Sequence, residues 1–210
     1  SDAVGTLTAL ECTGVNDPTG VELLTGLESL SLTQGGITSI DVSKNTKLKE
    51  LNLFHNAIST IDLSNNPELT SLDLGMNGLT QLDVTGNPAL RSLSLHGSQV
   101  AALDLSQNPS LTKLVINNSP ITALTLTNNP VLEALECHDD QLTILDVSNN
   151  TMLTNLQCFD NQISALDVSH CPNLTYLDCS ANQITSLDVS NCPALTDENL
   201  RADDTVTIIR

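Results

Sequence analysis

Leucine recurs at Leu27, Leu48, Leu69, Leu90, Leu111, Leu132, Leu153, Leu174 and Leu195, and every gap is 21 residues. So strict a period restricts the chain to a stack of identical coils. An inserted residue would swing every later side chain out of its column. Eight complete repeats, numbered here as rungs 1 to 8, fill residues 27–194. Counting slots from each leucine, slots 4 and 6 are apolar throughout, as in Leu72 and Leu74 of rung 3. Slots 11, 14 and 16 are apolar too, as in Leu79, Leu82 and Val84. Slot 9 favours Asn, and slot 19 is Asn in six rungs and Cys (Cys171, Cys192) in two.

The unit reads LxxLxLxxNxLxxLDVSxNPx and contains one phrase twice, offset by ten residues. Slots 4 and 6 alternate as a strand does, and so do slots 14 and 16. The pattern predicts two short strands per coil, near slots 3–6 and 13–16. Neither half carries a helical stripe, and Pro fills slot 20 in six rungs. A convex helix is excluded in favour of a second strand or a 3₁₀ turn. The expected fold class is a β-rich solenoid of stacked 21-residue coils, with a parallel sheet on one face and short strands or 3₁₀ turns on the other. Where the chain turns inward, Asn amides supply donors and an acceptor to backbone groups that point into the core.

Three segments are expected: residues 1–26 as a degenerate first repeat and N-terminal cap, 27–194 as the eight repeats, and 195–210 as a C-terminal cap. Leu7, Leu10 and Cys12 match slots 1, 4 and 6, although Leu27 then comes one residue early. Glu198 breaks the pattern at slot 4, and Thr205-Val206-Thr207-Ile208-Ile209 has the composition of a closing strand. No signal peptide is visible, and Ser1-Asp2-Ala3-Val4 reads as the start of a mature or trimmed fragment.

The phrase LxxLxLxxNxLxxLDVSxN resembles the 21-residue class of bacterial leucine-rich-repeat surface proteins, of the internalin J-like kind. The likeness is close in Leu174-Thr175-Tyr176-Leu177-Asp178-Cys179 and Leu187-Asp188-Val189-Ser190. It covers residues 27–194 well and 7–26 partly. The resemblance implies a leucine-rich-repeat solenoid in a secreted or wall-attached adhesion protein. The chain departs from that family in lacking a visible sorting signal or helical cap.

Charge narrows the partners. Seven basic residues stand against 25 acidic ones, a net charge of −18. Nucleic acid and anionic membrane need a basic surface and are excluded; no apolar run is long enough to span a bilayer. A protein, particularly a basic one, or a glycan remains, and the chain is expected to act as a monomer without cofactor or metal. No nucleophile elbow, phosphate loop or HExxH appears, so no catalytic residue is assigned and the chain is read as a non-enzyme.

Comparing the rungs with one another separates a monotonous side from a variable one. Slot 15 is Asp in seven rungs (Asp41, Asp62, Asp83, Asp104, Asp146, Asp167, Asp188), and slot 17 is always Ser or Thr. Uniformity suits a carboxylate bonding the following turn; a cation ladder is the alternative. Slots 5, 7 and 8 vary. The only aromatics, Phe54, Phe159 and Tyr176, lie in slots 3 and 7; His55, His96, His138 and Met76 lie in slots 7 and 8. Two ligand-binding patches are expected: Phe54, His55, Met76 and His96, and then His138, Asp139, Phe159, Asp160, Tyr176 and Asp178. Rings on an exposed face serve as binding anchors, or else they cover neighbouring rungs. Cys137, Cys158 and Cys179 fill slot 6 on consecutive rungs and read as a ladder of reduced thiols. Cys171 and Cys192 are free or bridged, and His138, Asp139, Asp140 and Asp160 are the one cluster with metal-ligand chemistry. The leading reading is an extracellular binding or adhesion module; the alternative is a structural spacer.

Overall fold

A computed structural model describes residues 6–210. The expected mature start at Ser1–Val4 lies outside the described residues. Each coil lays one short strand into a parallel sheet. The strands are β1 (Ala9–Thr13), β2 (Ser29–Thr33), β3 (Glu50–Asn52), β4 (Ser71–Asp73), β5 (Ser92–Ser94), β6 (Lys113–Val115), β7 (Ala134–Glu136), β8 (Asn155–Gln157) and β9 (Tyr176–Asp178). Three more follow: β10 (Ser186–Asp188), β11 (Leu200–Arg201) and β12 (Thr207–Ile209). The main sheet has ten strands in the order β1 to β9 and then β11.

From β2 to β9 the slot 4 leucines face one another at every step, as in Leu51↔Leu72 and Leu156↔Leu177. The ends absorb the irregularities seen in the sequence. Leu10 pairs with Leu30, an offset of 20. Leu200, not Glu198, pairs with Leu177, an offset of 23, so two extra residues keep the carboxylate out of the apolar column. The closing strand appears as β12, parallel to β10.

The second face differs from a second ladder. Slots 13–15 form a paired strand only in rung 8, where β12 supplies the partner. In rungs 1 to 7 the same slots run as irregular backbone and do not pair as strands. Among the described residues the one helical element is a 3₁₀ turn at Val21–Leu23. The second phrase carries the apolar alternation of the first, but its backbone is closed by other bonds. The N–H of slot 10 donates to slot 11 of the preceding rung, as in Ala57 N to the Ile37 oxygen at 2.9 Å. Slots 16 to 19 close as a turn, as in Asn66 N to the Leu63 oxygen at 3.0 Å.

The core is a column of aliphatic side chains. Leu48, Leu53, Leu69, Leu74, Leu90 and Leu95 are wholly buried. Each such burial stabilises the fold by about 2 kcal/mol, held between neighbouring rungs. Cys137, Cys158 and Cys179 continue the slot 6 column, buried and unbridged. Burial pushes the Cys179 thiol up to about 12, so it packs as a small hydrophobe.

Two polar columns flank the core. In slot 19 each amide nitrogen donates to two carbonyls of the preceding rung: Asn87 Nδ2 reaches the Leu63 oxygen at 3.1 Å and the Asn66 oxygen at 2.9 Å. The same pair of bonds repeats from Asn66 to Asn150. The expectation that the amide oxygen would also be satisfied is not met, because Oδ1 is buried without a partner in Asn45, Asn66, Asn87, Asn108, Asn129 and Asn150. Cysteine therefore fits this column. Cys192 points its thiol at the Val168 and Cys171 oxygens, each at 3.6 Å, keeping a weak donor and dropping the orphaned acceptor. Cys171 and Cys192 are both free.

The slot 15 carboxylates hold turns. Oδ1 of Asp41, Asp62, Asp83, Asp104, Asp146, Asp167 and Asp188 each accepts the backbone N–H two residues on, at 2.9 Å. These bonds, from the Ser or Thr hydroxyl and N–H of slot 17, hold the carboxyls below their ordinary range.

Candidate ligand-binding edge

The variable residues of slots 7 and 8 lie on the loop that leaves each sheet strand. Slot 8 is left-handed in every rung: Gln34, His55, Met76, Asn118, Asp139, Asp160 and Ala181 have φ between 50° and 60°, and Gly97 has φ 66°. The strand must reverse there, and slot 9 anchors the reversal. Asn77 Oδ1 accepts Ile58 N at 3.0 Å, while its Nδ2 donates to the Leu53, Leu74 and Gly75 oxygens. Asn56, Asn161 and Asn182 likewise accept from the preceding rung and donate to carbonyls. A fixed corner thus throws the slot 8 side chain outward whatever its identity, which is why His55, Met76, Asp139 and Asp160 are all exposed.

The C-terminal group comes together. His138 stacks on Phe159 of the next rung, centroids 4.1 Å apart and planes within 11°. His138 Nδ1 lies 2.9 Å from Asp139 Oδ2, and Asp160 stands exposed beside them in sequence. The other two members are held elsewhere. Tyr176 is half-buried with its hydroxyl accepting from Arg201 Nε at 3.2 Å. Asp178 is 9% exposed, its Oδ1 accepting from the N–H and hydroxyl of Ser180. Arg201 was not singled out in the sequence because the two-residue slip at β11 hides that it pairs with Asp178.

The N-terminal group is built differently. Phe54 and His55 lie 5.9 Å apart and tilted. Phe54 covers Gly75, where a Cβ would stand 3.2 Å from its ring. Met76 covers Gly97, where a Cβ would stand 2.6 Å from its sulfur. His96 is half-buried, and its carbonyl accepts from Met76 N. Phe54 and Met76 thus act as covers over glycines of the next rung, and the patch is continuous along the edge without a ring-on-ring contact between rungs.

Beside this edge, an open trough of about 580 Å³ runs across β1 to β7. Hydroxyls of Ser29, Ser71 and Ser92 floor it, Glu50 and Asp73 give it negative charge, and Lys113 is paired with Glu136 at 3.6 Å. The outward slots 3 and 5 were legible in the sequence as positions, but only Tyr176 and Asp178 of rung 8 were candidates, because these slots carry no ring on rungs 1 to 7. His138, Asp139, Asp140 and Asp160 do not assemble a metal site: among the described residues no group of three or more His, Cys, Asp or Glu is placed to hold an ion. No helix among them is long and apolar enough to cross a membrane.

The fold and the repeated phrase define a leucine-rich-repeat solenoid. The family model described as Leucine Rich repeats (2 copies) matches residues 46–87 and 151–192. The functional domain of InlJ from Listeria monocytogenes, which includes a cysteine ladder, is 35% identical with a TM-score of 0.75; the match covers 92% of this chain and 48% of that one. Internalin C2 of Listeria monocytogenes is 24% identical with a TM-score of 0.70, covering 98% of this chain and 82% of that one. A leucine-rich-repeat protein of Leptospira interrogans shares the fold at 20% identity and a TM-score of 0.64, covering 90% and 62%. No curated protein sequence is similar enough to this chain to count as a match. The chain is an internalin-like leucine-rich-repeat protein, and it spans about half the length of the InlJ domain it resembles.

Proposed function

We propose that this chain is an extracellular, non-catalytic binding module that offers its slot 7–8 edge and the adjoining sheet face to a protein or glycan. The observation that carries the reading is the His138–Phe159 stack. A core made wholly of aliphatic side chains and thiols has no packing need for it, yet a flat, half-buried ring pair stands at the rim with the exposed carboxylates of Asp139 and Asp160 nearby. Such a surface suits a basic protein loop, whose apolar stem lies on rings while its cation meets a carboxylate. It also suits a sugar stacked on a ring. Residues 1–26 and 195–210 are assigned as caps that keep partner strands from adding to the ends of the column.

The test is binding of the purified chain to a glycan array and to a panel of basic and acidic proteins. His138→Ala with Phe159→Ala is compared with Asp62→Asn, which lies in the uniform row. At least tenfold weaker binding by the ring variant, with the row variant unaffected, supports the reading. Equal binding by both, or none by the unaltered chain, favours a spacer. The contacts of Phe54 over Gly75 and Met76 over Gly97 are what that second reading expects along the whole edge.

A further inference from the structure

The slot 9 column of asparagines, which begins at Asn56, is interrupted in the middle of the array. Asn56 and Asn77 precede the interruption, Asn161 and Asn182 follow it, and Ser98, Ser119 and Asp140 fill it. Ser98 and Ser119 bridge their gap with hydroxyls 3.2 Å apart. Asp140 Oδ1 then accepts Ser119 N at 2.7 Å, joining rung 5 to rung 6. Its other oxygen, Oδ2, is buried without a partner, and the residue is 8% exposed.

An asparagine in slot 9 accepts from slot 11 of the preceding rung, where Asp140 accepts from slot 9, and it uses its second position as a donor. Asn161 Nδ2 bonds the carbonyls of Cys137, Cys158 and Phe159, at offsets of 24, three and two residues. The same offsets from Asp140 point to the carbonyls of Ile116, Cys137 and His138. A carboxylate brings only acceptors to such a place, whereas a protonated carboxyl brings one O–H donor and has nearly the shape of the amide. We propose that Asp140 is a proton-operated fastener between rungs 5 and 6: protonated it completes the asparagine column, and ionised it leaves an unmatched buried charge in the joint.

The surroundings favour the proton. Burial, with a smaller push from Asp139, moves the Asp140 carboxyl up to about 7, although the Ser119 N–H bond acts the other way. The titratable groups around it are Cys137, His138 and Asp139 on its own rung and Cys158 and Asp160 on the next. The preceding corner offers only the neutral Asn117, Asn118 and Ser119. His138 is engaged with Asp139 and Phe159 and is not bonded to Asp140. Because the native carboxyl holds its proton above the ordinary carboxylate value of ~3.9, the native state binds one proton more than the unfolded chain between about pH 4 and pH 7. Its contribution is fully present at the acid end of that window and is lost as pH rises through the native value, by up to about tenfold in the folding equilibrium per pH unit.

The experiment measures denaturation of the unaltered chain and of Asp140→Asn between about pH 5 and pH 8, with the Asp140 carboxyl followed by carbon NMR. The expected result is a variant at least tenfold more stable near pH 8, an advantage that shrinks toward pH 5. The unaltered carboxyl titrates above about pH 6. Parallel stability curves, or a carboxyl midpoint near the ordinary ~3.9, would overturn the proposal. The NMR titration decides the matter on the unaltered chain even if the variant folds poorly.

Discussion

Replacing Asn87 by alanine tests the slot 19 column directly. The change deletes two buried bonds, to the Leu63 oxygen at 3.1 Å and the Asn66 oxygen at 2.9 Å. Each net bond stabilises by about 1 kcal/mol. Neither carbonyl is stranded: the Leu63 oxygen keeps Asn66 N at 3.0 Å, and the Asn66 oxygen keeps Leu69 N at 3.2 Å. The full desolvation penalty for a bare carbonyl therefore does not apply, and the orphaned Asn87 Oδ1 leaves with the amide. The expected cost is about 2 kcal/mol, the sum of two net bonds of about 1 kcal/mol each. Asn87→Asp keeps the shape and turns the donor into an acceptor facing two carbonyls, so at neutral pH it should cost more than alanine, above about 3 kcal/mol. Asn87→Cys, which imitates Cys171 and Cys192, should cost less than alanine. The assay is urea denaturation followed by circular dichroism, with the slope checked for a single transition. An alanine variant within about 0.5 kcal/mol of the parent, or an aspartate variant no worse than alanine, would refute the donor-only account.

Ala181→Gly should raise stability by about 1 kcal/mol, since Ala181 sits at φ 51° where a Cβ crowds the backbone; an unchanged or lowered denaturation midpoint would show that the corner carries no such strain. The slot 15 row should make the fold sensitive to acid. Its carboxyls are held below their ordinary values by slot 17 hydrogen bonds, so their stabilisation is present above the ordinary range near ~3.9 and is lost as pH falls through the lower native values. Asp62→Asn, Asp83→Asn and Asp104→Asn together should flatten the loss of melting temperature below about pH 4, and an equally steep loss would contradict the assignment.

The period of 21 makes the sheet, its register and its apolar columns readable in the sequence, because a side chain displaced by one residue has no place in the stack. The Asp41-to-Asp188 row was readable too, since its bonds span two residues of local chain. The second set of strands was not. The alternation at slots 14 and 16 reports which side chains face inward and says nothing of whether neighbouring backbones pair. The left-handed corner at slot 8 was equally hidden, because Gln34, Met76 and Ala181 occupy it as readily as Gly97. At the site, His138 and Phe159 were legible as slot 7 neighbours, and their stack follows from adjacent rungs, but the sequence did not show that the pair is half-buried. Tyr176 and Asp178 were assigned to the same patch, but the irregular offset at β11 brings Arg201 to the one, and Ser180 holds the other. Asp140 was weighed as a metal ligand from its acidic neighbours; only the Asn56, Asn77, Asn161 and Asn182 bonds reveal that it stands in an amide's place.

The slot 19 amides also give the rod a direction. From Asn66 to Asn150 each one donates backward to the carbonyl of the residue 21 places earlier, all in the same sense. Any 21-residue block cut out or duplicated between two such links leaves matching ends, donor to acceptor, with the polarity intact. The molecule is thus measured out in whole rungs of ~4.8 Å. Its reach can lengthen or shorten by gene-level copying while the corner geometry that displays the edge stays the same.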